Sequence, residues 1–146
     1  MADIFRPRKR SEIMSRIRST GTAPERLLFR LVREAIGGRR RIARNVRTLP
    51  GQPDILIPSF RLVIFAHGCF YHNCPRHGHQ PKSNRQYWSP KLAKNAQRDL
   101  QNTRKLRALG YAVWRLWEHD FKPSRLEATG RLLKRRLERR LLYLEE

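Results

Sequence analysis

The sequence predicts an α/β protein in which a mixed β-sheet is flanked by helices. Segments with apolar residues at helical spacing alternate with short apolar runs, in the order helix, strand, strand, strand, helix, strand, helix. The run from Arg61 to Ala66 is nearly continuous in apolar residues, as expected of a strand covered on both faces. The chain has 146 residues and lies within the ~100–200 typical of one domain. The expected organisation is a basic N-terminal arm over residues 1–20 and a single domain over 21–146.

Taken in order, Ser11 to Arg18 carries Ile13, Met14 and Ile17 at helical spacing but is short and flanked by Arg and Lys, which fits an arm ordered on binding. Thr22-Ala23-Pro24-Glu25 is a capping-box pattern with proline in the first turn. Leu27, Leu28, Leu31, Val32 and Ala35 follow on one helical face, and Gly37-Gly38 stops the helix. Arg41 to Arg47 alternates weakly around Ile42 and Val46. Leu49-Pro50-Gly51-Gln52-Pro53 then forces a turn directly before Asp54-Ile55-Leu56-Ile57. Pro58-Ser59-Phe60 leads into the buried run, and His67 to Lys82 has no periodicity and reads as a loop. Trp88 to Leu109 is helical by pattern, with Gly110 placed for a left-handed cap. Tyr111 to Glu118 reads as a buried strand. Ser124-Arg125-Leu126-Glu127 repeats the capping-box pattern before a closing helix marked by Leu126, Leu133, Leu137, Leu141 and Leu144.

Charge narrows the partner. Thirty-three Lys and Arg against 12 Asp and Glu give a formal net charge of +21, which points to a polyanion, and nucleic acid is the commonest. A membrane surface is the rival. The longest apolar stretch, Leu62 to Ala66, is far short of the ~20 residues of a spanning helix, and the N-terminus has no apolar signal region. A cytoplasmic protein without membrane association is expected.

Two groups of residues carry chemistry. Cys69-x4-Cys74-x2-His77, with His119 after the last strand, offers four soft or borderline ligands, the donor set of a structural zinc site. The competing reading is two buried cysteines and surface histidines. Against it stands a loop almost devoid of aliphatic side chains, for which zinc binding worth ~10–16 kcal/mol would be a staple. His79 competes with His77 as fourth ligand. The second group centres on Asp54, ordinarily a turn residue after Pro-Gly-x-Pro. A hairpin would bring it to the Ala66 carbonyl, His67 and His72, giving hard oxygen ligands for Mg2+ beside imidazoles that transfer protons. Asn95 and Asp99, i and i+4 on the next helix, share a face that could orient a histidine. Glu25 reads first as the N3 member of its capping box.

Several strings then coincide: Pro50-Gly51-x-Pro53-Asp54; Val63-Ile64-Phe65-x-His67-Gly68-Cys69-Phe70-Tyr71-His72; Tyr87-Trp88; Lys94-Asn95-x-x-Arg98-Asp99; Gly110-Tyr111-x-Val113; and Trp117-Glu118. Over about residues 9 to 122 the chain resembles the very short patch repair endonucleases, which nick DNA beside a thymine–guanine mismatch left by deamination of 5-methylcytosine. The resemblance implies a restriction-endonuclease-like core in which histidine takes up part of the work of the usual catalytic lysine. It implies Asp54 and the Ala66 carbonyl as magnesium ligands and His72 as the water-activating histidine, oriented by Asp99. His67 would assist at the scissile phosphate, and Glu25 would act through water near the metal. Phe70, Tyr71 and Trp88 match an aromatic wedge entering from the major groove, with Met14 and Ile17 of the arm on the minor-groove side. Three positions depart from the family: Tyr71 stands where tryptophan is common, Ala66 where some members have threonine, and His119 where some have cysteine, the His-rich loop being shortened to Asn73-Cys74.

The expectation is therefore a magnesium-dependent, strand-specific DNA mismatch endonuclease with a structural zinc. It would act as a monomer on double-stranded DNA carrying a T·G mismatch, at the nucleoid, with mismatch-repair proteins as further partners. The rivals are a related nicking nuclease with another DNA substrate and a zinc-stapled basic nucleic-acid-binding module without catalysis. The second leaves Asp54, His67, His72 and Asp99 without a purpose.

Overall fold

The computed structural model describes residues 22–38, 40–69, 72, 74 and 85–145. Helix α1 spans Ala23–Ile36, and the sheet comprises β1 (Ala43–Arg44), β2 (Ile55–Ile57), β3 (Leu62–His67) and β4 (Ala112–Trp117). Helix α2 (Arg85–Ala108) joins β3 to β4, and α3 (Pro123–Glu145) follows a short 3-10 turn at Glu118–Phe121. Strands run in the order β1-β2-β3-β4, antiparallel except for the parallel β3–β4 pair, so the sheet is mixed.

The alternation of β2 and β3 sorts the core into two layers. Ile55, Ile57, Leu62 and Ile64 pack with Leu28, Leu31 and Val32 of α1 and Leu133 and Leu137 of α3. Val63 and Phe65 point the other way and pack with Leu106 of α2, flanked by Leu56 and Val113. The result is three layers, with α1 and α3 on one face and α2 on the other.

Local chemistry sets the ends. Thr22 Oγ1 accepts the Glu25 N–H at 3.5 Å, and Gly37 closes α1 at φ 75° with its N–H on the Arg33 carbonyl. Gly110, at φ 95°, ends α2 as the sequence predicts.

Several boundaries differ from expectation; the expected buried strand Tyr111–Glu118 narrows to Ala112–Trp117, of which only Leu116 is buried. The Arg41–Arg47 strand shrinks to Ala43–Arg44 because Asn45 turns out of the ladder at φ 49°, although Asn45 and Val46 still donate to Asp54 and Pro53 carbonyls. β3 runs one residue further, through His67. α2 begins at Arg85 rather than Trp88, so Pro90 lies inside its second turn. α3 begins at Pro123, and Ser124 sits inside the first turn instead of capping it, since a proline's missing N–H costs nothing there. No described helix is long and apolar enough to cross a membrane.

Candidate active site

At the edge of the sheet where β3 ends, a cleft of about 230 Å³ opens between the β2 turn and α2. The turn at Leu49–Gln52 aims Asp54 into it. Gly51 sits at φ 76°, and a Cβ there would meet Asn102 and Phe65 at 3.1–3.3 Å, so both conformation and space demand glycine. Asp54 Oδ2 accepts the Ala66 N–H at 2.7 Å, which fixes the carboxyl beside the end of β3.

Burial, and to a lesser degree the Glu25 carboxyl, push the Asp54 pKa up to about 7 against the pull of the Ala66 N–H. Glu25 is thus drawn into the cleft. Its backbone serves the helix cap, while its nearly buried side chain lines the cleft beside Asp54, so the capping-box reading covers only half of what this residue does.

Next to the acids stand two imidazoles. The His67 and His72 rings stack with centroids 3.9 Å apart and planes within 8°. His72 Nδ1 and Asp99 Oδ2 are 2.6 Å apart, a hydrogen bond that joins the loop after β3 to α2. Burial works to raise Asp99, but this bond and the nearby histidines and Arg115 hold it below the usual carboxylate value. His67 is lowered to about 3, first by burial and then by His72, so near neutrality it is an uncharged ring. Its Nδ1 is buried without a hydrogen-bond partner among the described residues. Donor atoms of His67, His72 and Asp99 lie within 4.8 Å of one another, a closeness common to proton relays and metal sites. Here the short Nδ1–Asp99 bond favours the relay. Asn95 lies one turn before Asp99 and lines the same groove with His72 and Arg98.

The same loop feeds a second cluster. Cys69, Cys74 and His119 are all buried, with ligand atoms within 4.8 Å of one another. His119 Nδ1 is 3.3 Å from Cys69 Sγ and 3.6 Å from Cys74 Sγ, while its Nε2 stands 3.6 Å from Asp120 Oδ1. Burial and the adjacent Cys74 raise the Cys69 thiol pKa. Two thiols and one imidazole nitrogen, buried together and backed by a carboxylate, are a donor set that fits Zn2+. His77 and His79 lie outside the described residues.

So do Phe70, Tyr71, Met14 and Ile17. Trp88 is 9% exposed at the start of α2, edge-on to Tyr87, which is 52% exposed. Sequence reasoning passed over Arg115, Thr103 and Asn102, which also line the cleft. The only available signal for Arg115 was a charge interrupting the otherwise apolar run of β4.

Comparison with known proteins identifies the family. Residues 2–79 match the model of a family described as DNA mismatch endonuclease Vsr. The type II nicking enzyme V.XorIIP of Xanthomonas oryzae pv. oryzae is 43% identical over 120 residues, 81% of this chain and 85% of the relative. V.NmeAIP, a type II nicking enzyme of Neisseria meningitidis serogroup A, is 38% identical over 92% of this chain and 96% of its own length. The DNA mismatch endonuclease Vsr of Escherichia coli K12 is 35% identical over 144 residues, 94% of this chain and 86% of its own.

Proposed function

Since the chain belongs to the DNA mismatch endonuclease Vsr family and is a DNA endonuclease, we propose that it nicks one strand of duplex DNA beside a T·G mismatch arising from 5-methylcytosine deamination. One observation carries the reading: a crowded pair of carboxyls, Glu25 buried and Asp54 half-buried, and a carboxylate-tethered imidazole stack open into one cleft.

Asp54 and the Ala66 carbonyl hold Mg2+ in this proposal, with Glu25 acting through water nearby. The donors fit, because two carboxyls crowded until one titrates at about 7 are relieved by a divalent cation. When bound, Mg2+ supplies Lewis-acid stabilisation of the charge that builds on the phosphodiester. His72 is the base. Donating Nδ1–H to Asp99 leaves the Nε2 lone pair for the attacking water, and Asp99 stabilises the imidazolium that results. His67, neutral and stacked on His72, donates a hydrogen bond to the scissile phosphate without adding a competing charge.

Around this centre, Zn2+ on Cys69, Cys74, His119 and His77, or His79 in its place, staples the loop. The core is of the restriction-endonuclease type. Residues 1–20 form the DNA-binding arm of a single domain over 21–146. Phe70, Tyr71 and Trp88 insert at the mismatch from the major groove, with Met14 and Ile17 opposite. Unstacking a base step costs a few kcal/mol and costs least at a mispair, so a wedge selects mispaired steps. The protein works as a monomer in the cytoplasm at the nucleoid, with mismatch-repair proteins as further partners.

The test is nicking, with Mg2+, of three duplexes that differ only in carrying T·G, C·G or T·A at one position. Cleavage confined to T·G is expected. Equal cleavage of a matched duplex overturns mismatch selection and favours the second reading, to which the nicking enzymes among the relatives lend weight: a nickase with another DNA target.

A further inference from the structure

Arg115 is out of place by the logic of its strand. In the parallel ladder it pairs with Phe65, and Phe65 and Val113 belong to the apolar cluster under α2, yet Arg115 itself is exposed at the edge of that cluster. At the rim of that cluster Arg115 reaches the cleft. Its Nη2 donates to Thr103 Oγ1 at 2.5 Å and to the Asp99 carbonyl at 3.3 Å. Thr103 in turn donates to the same Asp99 carbonyl at 2.8 Å. These contacts pin one end of the guanidinium to the turn of α2 that carries Asp99. Nε and Nη1 make no hydrogen bond with the described residues.

The cleft wall otherwise holds Glu25, Asp54, Asp99 and two imidazoles. An entering phosphodiester meets acidic groups on most sides. Arg47 is the other arginine at the rim, but it lies on the loop before the β2 turn, and no hydrogen bond or ion pair to it is found among the described residues. A planar, permanently charged fork held at one end and open at the other is preorganised to take a phosphate oxygen.

We infer that Arg115 is a further catalytic residue, anchored through Nη2 to the Asp99–Thr103 turn and binding a non-bridging oxygen of the scissile phosphate with its remaining N–H groups. The inference rests on the nuclease reading of this cleft but not on which mismatch is chosen. Its geometry has a purpose: one side chain registers the phosphate against the element that orients His72. A base aligned through Asp99 and a phosphate aligned through Arg115 share one support.

The test uses the full chain and whichever duplex the native protein nicks, so a failure of T·G selection leaves it intact. Arg115→Met should lower single-turnover nicking by about 100-fold, the usual scale for one preorganised donor. Sulfur placed at one non-bridging position of the scissile phosphate should slow the native enzyme stereospecifically. That discrimination should shrink to within about threefold in the variant, which no longer touches the oxygen. Without Mg2+, a neutral methylphosphonate at the same position should weaken native binding by about tenfold and R115M binding by less than about twofold. Arg115→Lys should recover part of the rate, since an ammonium keeps the charge but cannot hold anchor and phosphate together. If Arg115→Met does not fold, the sulfur and methylphosphonate comparisons are read on Arg115→Lys. An undiminished sulfur effect, equal methylphosphonate penalties, or a Thr103→Val variant that reproduces the whole loss would make Arg115 a tether only and overturn the inference.

Discussion

The loop after β3 serves two clusters of opposite character. The cleft of Asp54, His67, His72 and Asp99 is half open and built from hard oxygens and imidazoles. Its groups are displaced in opposing directions, Asp54 up to about 7 and His67 down to about 3. The knot of Cys69, Cys74 and His119 is shut from solvent and built from soft sulfur and one ring nitrogen. Chain order interleaves them. His72 lies between the two cysteines, its N–H on the Gly68 carbonyl, and the Cys74 N–H is on the Cys69 carbonyl at 2.9 Å. In the proposed reading the knot would act as the fixture and the cleft as the instrument. A loop too poor in aliphatic side chains to pack would still deliver His72 to Asp99 if a metal on the two cysteines clamped its neighbours on both sides.

Substitutions can separate the two. Asp54→Ala should have the largest effect, at least about 10³-fold on nicking, with mismatch binding within about threefold, because phosphate contacts come from the many Arg and Lys. Strand cleavage and gel-shift titration read the two quantities, and retained cleavage would place the chemistry elsewhere. Cys74→Ala should instead act through the fixture. Metal analysis should fall from about one zinc per chain to near none, with a melting point lowered by several degrees or more and nicking lost in proportion to the folded fraction. Zinc retained at full stoichiometry in this variant would remove Cys74 from the ligand set.

The smallest expected effect is on stability against pH in protein without magnesium. Asp54, raised in the folded state, contributes stability that is present below about pH 4 and lost as pH rises towards 7. His67, lowered in the folded state, contributes stability that is present above about pH 6.5 and lost as pH falls towards 3. Between pH 4 and 6.5 the two slopes oppose one another, so the native curve should be nearly flat with respect to this pair. Asp54→Asn removes one side of the balance. Its stability should climb with pH across that window, by up to about 1 kcal/mol per unit, in urea melts at fixed ionic strength. A native curve as steep as that of D54N would mean the two displacements do not coexist.

What could be read before folding was whatever local chemistry writes locally. Thr22-Ala23-Pro24-Glu25 set the start of α1, Gly110 the end of α2, and alternation in β2 and β3 the two faces of the core. Long-range meetings were legible only in part. The Asp54–Ala66 contact follows from a hairpin, and a pattern of types suggested Cys69, Cys74 and His119. Arg115 left only a weak mark, a charge interrupting an apolar run, because its partners lie on α2. At Glu25 the local capping explanation stood beside a tertiary role that only the family resemblance supplied.

The parallel pairing of β3 with β4 has a consequence in time. The β2–β3 hairpin closes over a handful of residues, whereas the β3–β4 ladder requires the whole α2 crossover to form and dock first. Closing long loops is the slow part of folding. Asp54 and Ala66 therefore meet early, while Asp99 and Arg115 reach the histidines only when that crossover seats. An intermediate with only this hairpin closed would hold Asp54 beside Ala66 but lack the partner of His72, so under the proposed mechanism the capacity to cut DNA would arrive with the last cooperative step rather than accumulate along the way.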